Sequence, residues 1–285
     1  MARALEYGWH DGQLRPLSEI HISPLDRGFL FGDGVYEVIP VYNGRALGLA
    51  EHLGRLNRSL HAIDLPAPCE ESRLVDSMEQ VITANSSANQ SLYIQISRAG
   101  DDGRDHKFPR LNEASLFMMS STLVPASRTQ YSAGFPAITL PDDRWQRCDI
   151  KSTSMLANVM ARQAASKADA LEAVLTRDDY LIEGAASAII CARDGVIYAP
   201  PETNTLLPSV TRHITLDIAK RLDIEVRVEP IPIDFARDAD ELLLMSSTKE
   251  IVPLVQLDGA RIGKGQPGPI WNQLFDGYQD RKVAL

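Results

Sequence analysis

Arg144-Trp145-Gln146-Arg147-Cys148-Asp149-Ile150-Lys151-Ser152 is the stretch on which the reading of this chain turns. Lysines are scarce: the others are Lys107, Lys167, Lys220, Lys249, Lys264 and Lys282. Lys151 follows Arg147 by four residues and Arg144 by seven. Nearby positive charge favours the neutral amine, and only a neutral amine attacks a carbonyl carbon. The stretch therefore points to a Schiff-base lysine, against the common alternative of a solvated lysine at a strand end. The rest of the chain decides between the two.

A chain of 285 residues can bury a large core and is expected to divide into two domains. Its 44% hydrophobic and 24% charged residues are those of an ordinary globular protein. A net charge of -9 with no basic block argues against nucleic acid or an anionic membrane as partner. Cys69, Cys148 and Cys191 are widely spaced and form no Cys-x-x-Cys, so a reducing compartment fits best. The six histidines make no ligand-spaced cluster, and no metal is expected. Met1-Ala2-Arg3-Ala4-Leu5-Glu6 leads into no apolar segment, and no run is long enough to span a bilayer. The expectation is a cytoplasmic enzyme.

Outward from Lys151, hairpin signals recur at Asp11-Gly12, Asn43-Gly44, Asp194-Gly195 and Asp258-Gly259. Such pairs favour type I′ turns, whose two central residues both need positive φ. Antiparallel sheet is therefore predicted in both halves. Helical spacing appears at Leu53, Leu56, Leu60 and Ile63, and again at Leu74, Met78 and Val81-Ile82. A third helix is predicted over Met155–Ala168 and a fourth from Ser209, with Val210, Ile214, Ile218 and Leu222 on one face. The polar, aperiodic stretch 123–130 reads as a linker between a first domain over 1–122 and a second over 131–285. Irregular alternation of strands and helices makes the class α+β. No dinucleotide or Walker-type glycine loop is present.

Four patterns carry possible chemistry. Asp26-Arg27-Gly28-Phe29-Leu30-Phe31-Gly32-Asp33-Gly34 allows a sharp turn or a close backbone approach, and in the strand that follows Tyr36 and Val38 face opposite to Glu37. Arg104 and His106, two apart, share a face in extended backbone and can converge on one carboxylate. Glu183 sits among small residues, with room for a flat ligand whose protonated ring nitrogen it would face. Ser209-Val210-Thr211 opens a helix, where free N–H groups attract phosphate, and Ser246-Ser247-Thr248 follows the apolar run Leu242-Leu243-Leu244-Met245. Arg55 lies beside His52 on the first helix. Each has a plain structural alternative: a turn, two solvated loop residues, a hairpin-end glutamate, an N-cap, a strand end and a surface arginine.

Lysine, ring-facing glutamate and phosphate cup, in this order, resemble the fold type IV pyridoxal-phosphate enzymes, most closely the D-amino acid transaminases. The resemblance runs from the Asp11-Gly12 hairpin to the Asp258-Gly259 hairpin. It rests on Asp26-Arg27-Gly28, Gly32-Asp33-Gly34-Val35-Tyr36-Glu37-Val38, Glu51-His52 with Arg55-Leu56, Arg147-Cys148-Asp149-Ile150-Lys151-Ser152, Glu183-Gly184 and Thr211-Arg212. It implies a two-domain fold in which Lys151 holds pyridoxal 5'-phosphate as a Schiff base and shuttles the proton. It implies that Glu183 keeps the ring nitrogen protonated. Arg55, Val210, Thr211, Ser246 and Ser247 would hold the phosphate, and Ser187 would keep a polar contact near the cofactor. Most cofactor contacts would come from the second domain. Tyr36, Arg104 and His106 would bind the substrate α-carboxylate, the Arg-x-His pair coming from the neighbouring subunit of a homodimer with a shared active site.

The activity so implied is amino transfer from a D-amino acid of the D-alanine or D-glutamate class to a 2-oxo acid. Branched-chain and (R)-amine transaminases and aminodeoxychorismate lyases of the same fold are the alternatives within the enzyme class. A non-catalytic cofactor carrier or plain binding protein is the alternative outside it. The chain departs from the family at Ala185, Ala186 and Ala188, where relatives commonly carry serine, threonine and asparagine, and at Ser209, which replaces a frequent glycine. The first departure bears on cofactor affinity and donor range, the second on the backbone approach to phosphate.

Overall fold

The structure is a computed structural model that describes residues 2–100 and 103–285. The chain packs as two compact units, Met1–Val124 with Ile150–Ser154, and Pro125–Asp149 with Met155–Leu285. The fold is α+β with a sheet in each unit.

The first unit contains β1 (Ala4–His10), β2 (Gln13–Pro16), α1 (Arg27–Phe31), β3 (Gly34–Tyr42), β4 (Arg45–Ala46), α2 (Leu49–Ala62), α3 (Glu71–Ala84), β5 (Gln90–Arg98) and β6 (Ala114–Thr122). Its six strands run in the order β2-β1-β6-β5-β3-β4, all neighbours antiparallel. Alternation sends Val35, Ile39 and Val41 of β3, Leu92, Ile94 and Ile96 of β5, and Leu116 and Met118 of β6 to one face. Leu53, Leu56 and Leu60 of α2 and Leu74, Met78 and Val81 of α3 close over that face as the core. Burying each such side chain contributes about 1.5–3 kcal/mol. The opposite face carries Tyr36, Val38, Tyr93, Gln95, Phe117 and Met119, all half-buried.

The second unit contains α4 (Arg128–Tyr131), β7 (Phe135–Pro141), α5 (Leu156–Lys167), β8 (Glu172–Arg177), β9 (Tyr180–Gly184), β10 (Ala188–Arg193), β11 (Val196–Ala199), α6 (Val210–Arg221), β12 (Val226–Val228), β13 (Ile231–Pro232), α7 (Ile233–Arg237), β14 (Glu241–Ser246), β15 (Glu250–Leu257), β16 (Ala260–Arg261) and α8 (Pro269–Val283). Ten strands form one sheet, ordered β12-β11-β10-β14-β15-β7-β8-β9-β13 with β16 on β15. Here β7 runs parallel to β8 and β15, and β11 parallel to β12, so the predicted antiparallel sheet is interrupted. β10 and β14 are buried at nearly every residue, as their unbroken apolar runs require.

All four predicted hairpin turns form, with positive φ at Asp11 and Gly12, Asn43 and Gly44, Asp194 and Gly195, Asp258 and Gly259. A fifth, Asp178-Asp179, joins β8 to β9 with positive φ at both residues. It lacks the glycine that would have signalled it, but aspartate tolerates the left-handed region. The helices expected from spacing are α2, α3, α5 and α6; Ile63 and Leu222 fall at their C-caps rather than inside. The stretch read as a linker is part helix, because Ser127 caps α4 by accepting from the Gln130 N–H at 3.2 Å. A boundary at that stretch did not anticipate that 150–154 packs with the first unit.

Candidate active site

Lys151 is placed by backbone pairing. Its carbonyl accepts from the Tyr36 N–H at 2.9 Å, and the Thr153 N–H donates to the Gly34 carbonyl at 3.0 Å. Thus 150–154 lies antiparallel along the start of β3, with Ile150 buried in the core beneath. The Lys151 N–H donates to Ser59 Oγ at 3.2 Å, and Thr153 Oγ1 donates to the Gly32 carbonyl at 2.9 Å. The half-buried Lys151 carries its Nζ 4.0 Å from the centre of the Tyr36 ring. Two predicted residues therefore meet, on the face of β3 away from the core. The positive field expected from Arg144 and Arg147 does not stand as read. Arg147 is paired with Asp149 at 3.0 Å, and Arg144 with Asp142 at 2.8 Å and Glu183 at 2.5 Å, so carboxylates offset both charges.

Beneath Tyr36, on the core face, Glu37 is fully buried and takes two hydrogen bonds from Arg55, from Nε at 2.7 Å and Nη2 at 2.8 Å. His52 Nδ1 lies 2.7 Å from the same carboxylate. Burial opposes the charge on Glu37, but Arg55 and His52 outweigh it and hold the carboxyl down to about 2. Burial, only partly countered by Glu37, pushes His52 below its usual value. Arg55, expected as a phosphate contact, gives two of its nitrogens to Glu37, because a buried carboxylate needs its own cation.

Arg104 and His106 lie in the loop between β5 and β6, both exposed. Both border the Phe31 ring at the end of α1: the Arg104 guanidinium is 5.0 Å from its centroid, the His106 ring 5.2 Å. The two side chains thus border one aromatic ring, on a loop that is not the extended backbone the two-residue spacing assumed.

In the second unit Glu183 is the last residue but one of β9 and only 6% exposed. It accepts from Arg144 Nη1 at 2.5 Å and from the Leu207 N–H at 3.2 Å. Burial dominates these favourable partners and pushes the carboxyl up to about 7. A protonated ring nitrogen facing it would favour the carboxylate, so the group suits that ligand. Arg144, anchored on Asp142, holds Glu183, a partnership the sequence reading missed; opposite charges two apart just after β7 are the available signal. Ser187, expected to touch the cofactor, donates its hydroxyl to buried Glu172 at 2.9 Å. The Ala185 carbonyl of the same loop accepts from Asn158 Nδ2 at 2.7 Å.

Ser209 caps α6 by accepting from the Arg212 N–H at 3.2 Å. Val210 and Thr211 open α6, where first-turn N–H groups precede any i−4 carbonyl of the helix, and such ends attract anions in general. Thr211 directs its hydroxyl to Tyr278. Ser246 pairs with Glu250 across the turn that carries Ser247 and Thr248. Glu250 adopts φ 60°, costly for a glutamate, and is held there by Lys282 Nζ at 2.7 Å, Gln279 Nε2 at 2.8 Å and the Ala126 N–H at 3.1 Å. Taken by chemistry, each unit offers groups that suit a phosphorylated aldehyde with a basic ring nitrogen: the first a half-buried amine, the second a buried acid, a helix N-terminus and a serine turn. Among the described residues no group of three or more His, Cys, Asp or Glu is placed to hold a metal ion. No helix among them is long and apolar enough to cross a membrane.

The family model of amino-transferase class IV matches residues 34–257. This chain belongs to the class IV aminotransferases. The aminotransferase is 35% identical over 269 residues to a D-alanine aminotransferase of Staphylococcus aureus, covering 94% of this chain and 95% of the relative. Its fold is that of the Escherichia coli branched-chain amino acid aminotransferase, at TM-score 0.89, 21% identity and coverage of 97% and 94%. An aminotransferase from Mycobacterium tuberculosis, solved in its pyridoxal-phosphate-bound form, gives TM-score 0.84 at 22% identity, covering 98% and 99%. Pyridoxal 5'-phosphate is the cofactor of the class.

Proposed function

We propose that this aminotransferase uses pyridoxal 5'-phosphate to move an amino group from a D-amino acid, of the D-alanine or D-glutamate class, to a 2-oxo acid. The reading is carried by Arg104 and His106, presented together on Phe31 as a clamp for an α-carboxylate. The identity to a D-alanine aminotransferase over most of the chain supports it. In this reading Lys151 would hold the cofactor through Nζ and would take up and return the proton of the substrate Cα. When bound, the cofactor supplies the electron sink that makes that Cα proton acidic. Glu183, oriented by Arg144, accepts from the ring N–H. Val210 and Thr211 donate backbone N–H groups to the phosphate, joined by Ser246 and Ser247. Ser187 acts at the cofactor through Glu172 and the loop it steadies. For Arg55 as a phosphate contact the support is the family pattern alone. Tyr36 lies under the amine and, with Arg104 and His106, binds substrate. A clamp that serves the neighbouring subunit implies a homodimer, and the compartment proposed is the cytoplasm.

The test is a donor panel with purified holoenzyme and 2-oxoglutarate or pyruvate as acceptor. D-alanine or D-glutamate should donate; transfer confined to L-leucine, an (R)-arylalkylamine or aminodeoxychorismate would sink the D-specific reading. Borohydride trapping should tag Lys151, and Lys151→Ala should abolish transfer; a cofactor tag elsewhere would reassign the lysine.

A further inference from the structure

Arg27 is 6% exposed and none of the chemistry above uses it. Its Nε donates to Asp33 Oδ2 at 2.8 Å, which fixes the guanidinium plane. The other nitrogens turn to three consecutive carbonyls of the loop that carries Arg104 and His106. Nη1 donates to the Asp105 carbonyl at 2.5 Å and the Lys107 carbonyl at 3.1 Å, and Nη2 to the His106 carbonyl at 3.3 Å. Three carbonyls on one guanidinium curl the loop around Arg27. The same guanidinium lies 4.8 Å from the Phe31 centroid, the ring that Arg104 and His106 also border.

Asp33 is fixed from behind. Arg98, with no exposed surface, donates from Nε to the same Asp33 Oδ2 at 3.0 Å. Its remaining nitrogens reach the Ile63 carbonyl at 2.6 Å, the Asp64 carbonyl at 3.2 Å and the Asn112 side chain. Its guanidinium stacks 3.6 Å from the Phe108 centroid. One carboxylate thus serves two buried arginines, and both spend their other donors on the 105–112 loop and its base. Two buried cations on one anion is a costly arrangement. Here it satisfies backbone acceptors in a loop that has no secondary structure of its own.

We propose that Arg27 is a positioning residue for the carboxylate clamp: anchored on Asp33 and Arg98, it sets the backbone of 105–107 so that Arg104 and His106 stand together on Phe31. This rests on the functional reading above. The clamp is then built within each chain, independently of substrate. A guanidinium is required, because lysine has no planar fork to serve Asp33 and three carbonyls at once.

The experiment compares holoenzymes carrying Arg27→Lys, Arg27→Ala, Arg104→Ala, and Arg104→Ala with His106→Ala. Arg27→Lys should raise KM for D-alanine and for the 2-oxo acid by ~10- to 100-fold, as expected when a binding group is misplaced by about an ångström. Cofactor absorbance should stay at the wild-type level, and amide exchange at 105–107 should quicken. Placed on the Arg104→Ala/His106→Ala background, Arg27→Lys should change KM by less than about 3-fold, since the groups it positions are gone. If Arg104→Ala raises KM while Arg27→Lys and Arg27→Ala do not, the positioning role is overturned and the functional reading survives. If Arg104→Ala itself leaves KM unchanged, the functional reading fails first. An Arg27→Lys effect that persists on the clamp-less background, or that comes with lost cofactor, marks a general structural role and also overturns the proposal. Should Arg27→Ala not fold, Arg27→Lys alone decides.

Discussion

At the scale of single residues, Glu37 shows how a strand position acquires two jobs. Its neighbours Tyr36 and Val38 face away from the core, while Glu37 faces into it and needs Arg55 and His52 to stay charged. Its folded value, about 2, lies below the ordinary 4.5. A depressed carboxylate stabilises the fold fully above the ordinary value and loses that contribution as pH falls through the folded one. Stability should therefore decline between about pH 4.5 and 2, by up to roughly 3 kcal/mol from this group. Glu37→Gln should lose most of that dependence in urea titrations run across the window; an unchanged pH slope would show that the pair is not coupled to folding. Glu183 has the opposite sign. Its raised value favours the folded state below about pH 7, until an opposing cation pulls the carboxyl down. Spacing in the sequence made Glu183, Arg104 and His106 visible as candidates. It could not show that Arg55 is engaged by Glu37 or that Ser187 is engaged by Glu172, because buried partners are chosen by packing.

At the scale of elements, local chemistry was legible wherever two adjacent residues carry the signal. Asp-Gly and Asn-Gly hairpins formed as read, while Asp178-Asp179 closed the same kind of turn without glycine. α8 went unread although Ile270, Trp271, Leu274, Phe275 and Tyr278 keep helical spacing behind Pro269. Its start is held by a residue distant in sequence: Glu241 accepts from the Ile270 and Trp271 N–H groups, each at 2.8 Å. A carboxylate spanning two first-turn donors caps the helix and complements its dipole. Glu241→Ala should cost about 1–3 kcal/mol, since it leaves two buried donors unpaired. Thermal unfolding would read this as a lower Tm; an unchanged Tm would mean that water takes over the cap.

At the scale of the whole molecule, the units leave apolar surface uncovered. Leu156, Val159 and Met160 of α5 are 74%, 59% and 64% exposed, at spacings that share one helical face. Phe29 in α1 is 74% exposed. A clustered apolar face of this kind marks a partner surface. Homodimerisation is therefore predicted: sedimentation should give a dimer, and Val159→Glu with Met160→Glu should shift it to monomer and remove transfer activity. A fully active monomer would refute a clamp shared between subunits. From sequence alone came the α+β class, the four glycine hairpins, four helices and the family, because turns, helical faces and motif spacing are local properties of the chain. Only tertiary structure decided that residues 150–154 fold back along β3 to lay Lys151 on Tyr36, and that Arg27 and Arg98 share Asp33 beside the 105–112 loop. Those choices depend on which distant groups can share one buried space, where each unpaired charge or carbonyl must find its partner.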